Sequence, residues 1–254
     1  TDTVIKEWQV PSDAGYPVWS KRSDRIWYIG HHDQPWRGGN TIFTVALRGK
    51  APKKVAADLV ACPFQLEAGP AGQPMLLIAS GVHTDLCQIE SGNEHLSSLE
   101  EIKGAAFGLS TSSDSQSAAL IISGPNEPPD IWFRPADGYL ERLTNLNPEL
   151  REMTWAKQEV VHWQSHDGLR IDGLIVHPIG PDTRRPYPMV TLPHGGPYGR
   201  WTETLNLGWS PSAQWLAANG FAVFLPNPRG GMGHGNAFAD TVSGAVGKDD
   251  WLDV

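Results

Sequence analysis

The residues best placed to do chemistry fall in one run, 189–200, reading MVTLPHGGPYGR. A short apolar stretch, 189–192, breaks at Pro193 into His194, Gly195, Gly196 and Pro197. That is how a buried strand ends in a loop whose backbone amides face outward. Two adjacent glycines carry no Cβ, so the backbone can take positive φ and approach a ligand closely. Amides aimed from such a loop can stabilise the oxyanion of an acyl-transfer intermediate, which makes Gly195 and Gly196 the candidate oxyanion-hole donors. An ordinary glycine turn would show the same four residues, so the neighbouring elements have to decide.

Acyl transfer also needs an activated nucleophile, a base and an orienting acid. A serine nucleophile on a strand-to-helix elbow sits in Gly-x-Ser-x-Gly, and the chain contains no such pentapeptide. Gly208-Trp209-Ser210-Pro211-Ser212 comes nearest, but Ser210 reads as a helix cap that follows no strand, and the fifth residue is serine. Gly108-Leu109-Ser110 lies inside the repeats described below. No catalytic residue is therefore assigned within the chain. His31-His32-Asp33 reads as a solvated hairpin turn, since no further metal ligands stand at useful spacing. Residues 231–235, GMGHG, mimic a dinucleotide loop but lack the Gly-x-Gly-x-x-Gly spacing, and Pro226 and Pro228 break the turn it needs. Neither a metal nor a cofactor is expected.

The elements around the glycine loop give it a setting. Residues 160–165 and 169–176 flank His166-Asp167-Gly168, the Asp-Gly turn of a hairpin. A proline-rich surface connection, 178–188, leads to the strand 189–192. Ser210-Pro211 offers a helix start, with serine as N-cap and proline at the first helical position. The helix runs through 213–218 to a stop at Gly220. Residues 221–225 form a buried strand ended by Pro226-Asn227-Pro228. An antiparallel hairpin, then a right-handed strand–helix–strand unit with a glycine loop after the third strand, is how an α/β-hydrolase sheet begins.

The first 150 residues repeat. Three apolar segments, 25–29, 75–79 and 118–123, each follow a polar or glycine-rich turn. A second set contains Ile42, Leu86 and Ile131, at spacings of 44 and 45. A third contains Val55, Leu99 and Leu143, at 44 and 44. Turns are expected at Gly38-Gly39-Asn40, 90–93 and 135–138. A period near 44 with several short strands per unit is the signature of β-propeller blades, which bury their faces only against one another. A β-sandwich also shows evenly spaced short strands. Three units do not close a ring of the usual four to eight blades, and 4–10 reads as the outer strand of a preceding blade. The expected organisation is 1–150 as about three blades of an incomplete propeller, with a short linker near 146–149. The remainder, 151–254, is the opening of an α/β-hydrolase domain cut short of its nucleophile elbow.

Composition narrows the partners. With 40% hydrophobic and 19% charged residues the chain is globular, and a net charge of −8 argues against a nucleic-acid partner. No apolar run approaches the ~20 residues of a membrane span, and residues 1–3 show no signal-peptide pattern. Cys62 and Cys87 cannot form a disulfide framework and their pairing is unreadable, so a reducing, cytoplasmic setting is preferred.

Five segments together resemble the prolyl oligopeptidase family of serine peptidases, most of all its acylaminoacyl-peptidase branch. They are 140–144 (LERLT), 163–173 (WQSHDGLRIDG), the HGGP loop, 214–220, and Asn227-Pro228-Arg229-Gly230 followed by Gly233-His234-Gly235. The resemblance implies a propeller capping an α/β-hydrolase, a Ser-Asp-His triad between them, and cleavage of short peptides admitted by size. It places Gly195 and Gly196 in the oxyanion loop and His194 where some relatives carry a tyrosine. It also places Arg229 at the mouth of the site, where it can pair with substrate. A loop-anchoring ion pair is the alternative for Arg229. The triad is expected beyond Val254, and the partners implied are a short peptide and the remainder of the polypeptide or a complementary fragment. Two other readings stay open: a non-catalytic propeller binding module with a degenerate hydrolase remnant, and a carboxylesterase with an HGG loop.

Overall fold

The computed structural model describes residues 7–8, 14–31, 39–49, 51–55, 62–90, 95–180, 186–208 and 212–254. The first twelve strands form three sheets of four, each an antiparallel meander in sequence order. The first holds β1 (Gly15–Trp19), β2 (Arg25–His31), β3 (Asn40–Ala46) and β4 (Lys53–Val55). The second holds β5 (Cys62–Glu67), β6 (Met75–Ser80), β7 (His83–Ile89) and β8 (Leu96–Ile102). The third holds β9 (Ala105–Thr111), β10 (Ala118–Gly124), β11 (Glu127–Arg134) and β12 (Glu141–Arg142).

The repeat has a direct structural meaning. Ile42, Leu86 and Ile131 all lie on third strands, and the 25–29, 75–79 and 118–123 segments are the second strands. Side chains alternate between faces along a strand, and β6 shows why its whole run is apolar. Leu76 and Ile78 pack toward Trp27, Ile29 and Ile42 of the first sheet. Met75 and Leu77 pack toward Leu109, Leu120 and Ile122 of the third. The middle sheet is thus buried on both faces, which two-layer sandwich packing does not give. Gln65 on β5 adds a bond at the period itself: its amide Nε2 donates to Leu109 O (3.0 Å) and its Oε1 accepts from Leu109 N (3.2 Å).

Most of 4–10, Gly38, residues 91–93 and the His32-Asp33 pair lie outside the described residues. The turn at 135–138 is present, closed by Gly138 N donating to Pro135 O. Cys62 and Cys87 are both buried and free. The linker holds a 3-10 turn, Pro148–Arg151, entered through Asn147 in the left-handed region.

The fourth sheet holds β13 (Gln158–Gln164), β14 (Arg170–Val176), β15 (Met189–Thr191) and β16 (Ala222–Asn227), in the order β13-β14-β16-β15. The β13–β14 hairpin and the β14–β16 pair are antiparallel, whereas β15 and β16 run parallel. Between the parallel strands runs α1 (Ala213–Ala218), whose Leu216 and Ala217 cover Leu174, Val176, Val223 and Leu225. The expected cap, Ser210 with Pro211, lies outside the described residues; Ser212 Oγ accepts from Trp215 N (3.2 Å) and caps the helix. Gly220, at φ +87°, ends it as expected. Two short helices follow, α2 (Gly235–Asp240) and α3 (Asp249–Leu252). Among the described residues no helix is long and apolar enough to cross a membrane.

Candidate active-site loop

The glycine loop leaves the C-terminal end of β15, which is the edge where parallel α/β sheets collect their ligands. Gly195, Gly196 and Pro197 are exposed. Gly196 sits at φ +147°, and a Cβ there would meet Tyr198 N at 2.6 Å and Gly199 N at 3.0 Å, so the backbone admits only glycine. A Cβ on Gly195 would meet nothing within 4 Å, which leaves open space above the loop. Among the described residues neither the Gly195 nor the Gly196 amide donates to any protein acceptor. Both amides are thus left without an acceptor among the described residues.

His194 is half-buried rather than projecting from the loop. Its Nδ1 lies 2.9 Å from Gly195 O, and its Nε2 is enclosed without a hydrogen-bond partner. Burial depresses its pKa below the usual imidazole value, so at neutral pH the ring is uncharged.

Arg229 is placed differently from a substrate-pairing arginine. Its side chain is 4% exposed and is held between two carboxylates. Nε lies 3.0 Å from both Asp253 oxygens, and Nη2 lies 2.8 Å from Asp253 Oδ1. Nη1 and Nη2 grip Asp167 at 2.7 and 2.9 Å. The Arg229 amide also donates to Asp253 Oδ2 at 2.8 Å. Of the two expectations for Arg229, the loop-anchoring ion pair describes this geometry. The turn residue Asp167 therefore has a second task, and the guanidinium holds its carboxyl well below the usual range.

Two further residues of the loop, Tyr198 and Arg200, carry no sequence signal of a role. Both reach from the loop into the N-terminal sheets. The Tyr198 hydroxyl accepts from Asn40 N (2.9 Å) at the start of β3. Arg200 Nη1 donates to Gly81 O (2.6 Å) and to His83 O, and Nη2 donates to Thr84 Oγ1 (2.9 Å). Burial pushes the Arg200 pKa down to about 10. Trp201 is fixed on the other side, its backbone N donating to Asn227 Oδ1 (2.6 Å). Asn227 Nδ2 donates in turn to the buried Asp172 (3.1 Å), which also pairs with His234 Nε2 at 3.1 Å. A cavity of about 410 Å³ opens beside this segment, between Ala105, Phe107 and Ser123 of the third sheet and Trp201 and Leu207. Among the described residues no cluster of three or more histidine, cysteine or carboxylate side chains could hold a metal.

Residues 208–254, which carry α1, β16 and the Arg229 loop, match the model of the prolyl oligopeptidase family. Among curated relatives is the uncharacterized peptidase YuxL of Bacillus subtilis, 31% identical over 147 residues; the match spans 58% of this chain and 22% of YuxL. Dipeptidyl-peptidase 5 of Aspergillus fumigatus is 24% identical over 264 residues, spanning 96% of this chain and 35% of its own length. The acylaminoacyl peptidase of Pyrococcus horikoshii superposes with a TM-score of 0.73 at 19% identity, over 91% of this chain and 35% of that one. The chain thus spans about a third of the length of these two proteins, and over that span it shares the fold of the superposed peptidase.

Proposed function

We propose that this chain is the part of a serine peptidase that supplies the oxyanion loop and the late blades of a propeller above it. On this reading the three meanders are propeller blades, and residues 151–254 open an α/β-hydrolase domain. The Ser, Asp and His of the triad belong to sequence beyond Val254. The whole protein hydrolyses short peptides by acyl transfer, in the dipeptidyl or acylaminoacyl mode of its relatives. One observation carries the proposal: two exposed glycine amides without acceptors among the described residues, at the tip of a parallel strand, held in a conformation that only glycine allows at 196. A preorganised donor at that position is what a tetrahedral intermediate needs, because it is oriented before the charge develops.

A fluorophosphonate probe tests this. The complete polypeptide is expected to label on one serine and to cleave a dipeptidyl or N-acyl-peptide substrate, while the 254-residue chain alone stays unlabelled. Stoichiometric labelling of a serine within residues 1–254 overturns the assignment of the nucleophile. Turnover of simple esters without any peptide turnover moves the protein to the carboxylesterases. A complete polypeptide that neither labels nor cleaves is a binding module.

A further inference from the structure

We infer that Tyr198 and Arg200 are positioning residues through which the propeller sets the geometry of the oxyanion loop. This rests on the peptidase reading above.

The two residues lie two and four positions after Gly196, on the same short segment, and they grip separate pieces of the N-terminal half. Tyr198 fastens to the first sheet through Asn40 N. It also lies against Cys62 of the second sheet, whose Sγ accepts from Gly233 N at 3.4 Å. Arg200 fastens to the β6–β7 turn, with both of its terminal nitrogens donating to Gly81 O, His83 O and Thr84 Oγ1. None of these acceptors is a carboxylate: Asp172 and Asp85 act on the half-buried guanidinium only through their charge, and its hydrogen bonds go to the carbonyls and hydroxyl of residues 81–84. That bonding is directional, and it is lost if the turn withdraws by an ångström.

The opposite wall of the loop is tied to the same turn. Gly81 N donates to Gly233 O at 2.9 Å. Met232 N donates to Gly199 O at 2.9 Å, and Gly199 N donates to Pro197 O at 2.7 Å. One turn of the propeller, 81–84, is therefore bonded on one flank to Arg200 and on the other to Gly233, and those two strands of chain are bonded to each other. Gly196 has no side chain and Gly195 is exposed, so little else in the hydrolase half fixes where their amides point. His194 supports the Gly195 carbonyl but makes no other hydrogen bond among the described residues.

The consequence is kinetic. A loop released from the propeller still binds substrate, but its amides miss the oxyanion, and a displacement near 1 Å costs about 100-fold in rate. The complete enzyme carrying Arg200→Met is therefore expected to lose about 100-fold in kcat, with KM within threefold of wild type. Affinity for a peptidyl boronate, which forms the tetrahedral adduct, falls in step with kcat/KM. Affinity for an uncleaved product peptide stays unchanged. Arg200→Lys, which keeps one donor to the turn, recovers part of the loss. Thr84→Val alters only the propeller side and is expected to reproduce the same split at smaller size, about tenfold, which separates positioning from any misfolding of the hydrolase half. Wild-type kcat in both Arg200→Met and Thr84→Val overturns the inference and leaves the peptidase reading intact. A parallel loss of boronate and product affinity also overturns it, since that is the mark of a collapsed site. If the wild-type polypeptide shows no peptidase activity at all, the underlying reading is what fails.

Discussion

Replacing Arg229 by Met separates its two possible roles by a wide margin. The substitution keeps most of the aliphatic stem and deletes the guanidinium. Asp253, whose side chain is 0% exposed, then retains among the described residues only the Arg229 amide as a donor. A buried carboxylate stripped of its ionic partner costs about 3–5 kcal/mol. The Asp167 side contributes far less: that carboxylate is 44% exposed, and water screens its half of the clamp. Arg229→Met should therefore cost about 4 kcal/mol, roughly a thousandfold in the folded-to-unfolded ratio, and Asp167→Asn far less, because water screens that pair. Urea denaturation of the complete protein measures both. Trp163 is a local reporter, because its indole Nε1 donates to Asp253 O at 2.7 Å. Replacing both partners, Arg229→Met with Asp253→Leu, should recover part of the loss, since no lone charge is left inside. The acid side follows from Asp167, whose folded pKa is depressed. Its contribution is present above its unfolded value near 4 and disappears only as pH falls through the lower folded value. Stability within about 1 kcal/mol of wild type, together with a tenfold rise in KM for peptides, would refute this account and return Arg229 to the substrate.

Two further perturbations probe the joints around the site. Gly233 sits at φ +102°, and a Cβ there would approach Gly81 O, N and Cα at 2.8–3.1 Å, so Gly233→Ala should destabilise the protein by at least about 2 kcal/mol and lower its melting temperature. Burial pushes the Asp130 carboxyl up, but the Leu146 amide, the Thr144 hydroxyl and Arg151 together hold it below the usual range. Its stabilisation is thus present above about pH 4 and lost as pH falls through the folded value. Asp130→Asn should cost about 2–3 kcal/mol at pH 7 and flatten the acid limb of a stability–pH curve measured by thermal melting.

Much of this was legible in the sequence because it rests on period and punctuation. A 44-residue spacing survives in the sequence when each unit must present the same apolar faces to its neighbours, as β6 does to both sides. The Asp-Gly hairpin, the Gly220 stop and the glycines of the loop were readable because each meets a local backbone demand. What stayed hidden depends on partners far away in the chain. Arg229 looks the same in sequence whether it faces solvent or two carboxylates 24 and 62 residues away. Tyr198 and Arg200 carry no periodic signal either, since their partners lie 158 and 116–119 residues upstream. The GMGHG run resembled a weak nucleotide loop; its Gly233 is required by close backbone contact with Gly81 instead. An arginine bonded to carbonyls could have been suspected only from its place beside a glycine loop.

The most direct measurement is a structure of the complete polypeptide bearing a peptidyl boronate or fluorophosphonate on its serine. The adduct oxygen should lie about 2.7–3.1 Å from the Gly195 or Gly196 amide nitrogen, with Arg200 still bonded to the 81–84 turn. An oxygen held elsewhere, with both glycine amides facing solvent, would contradict the account.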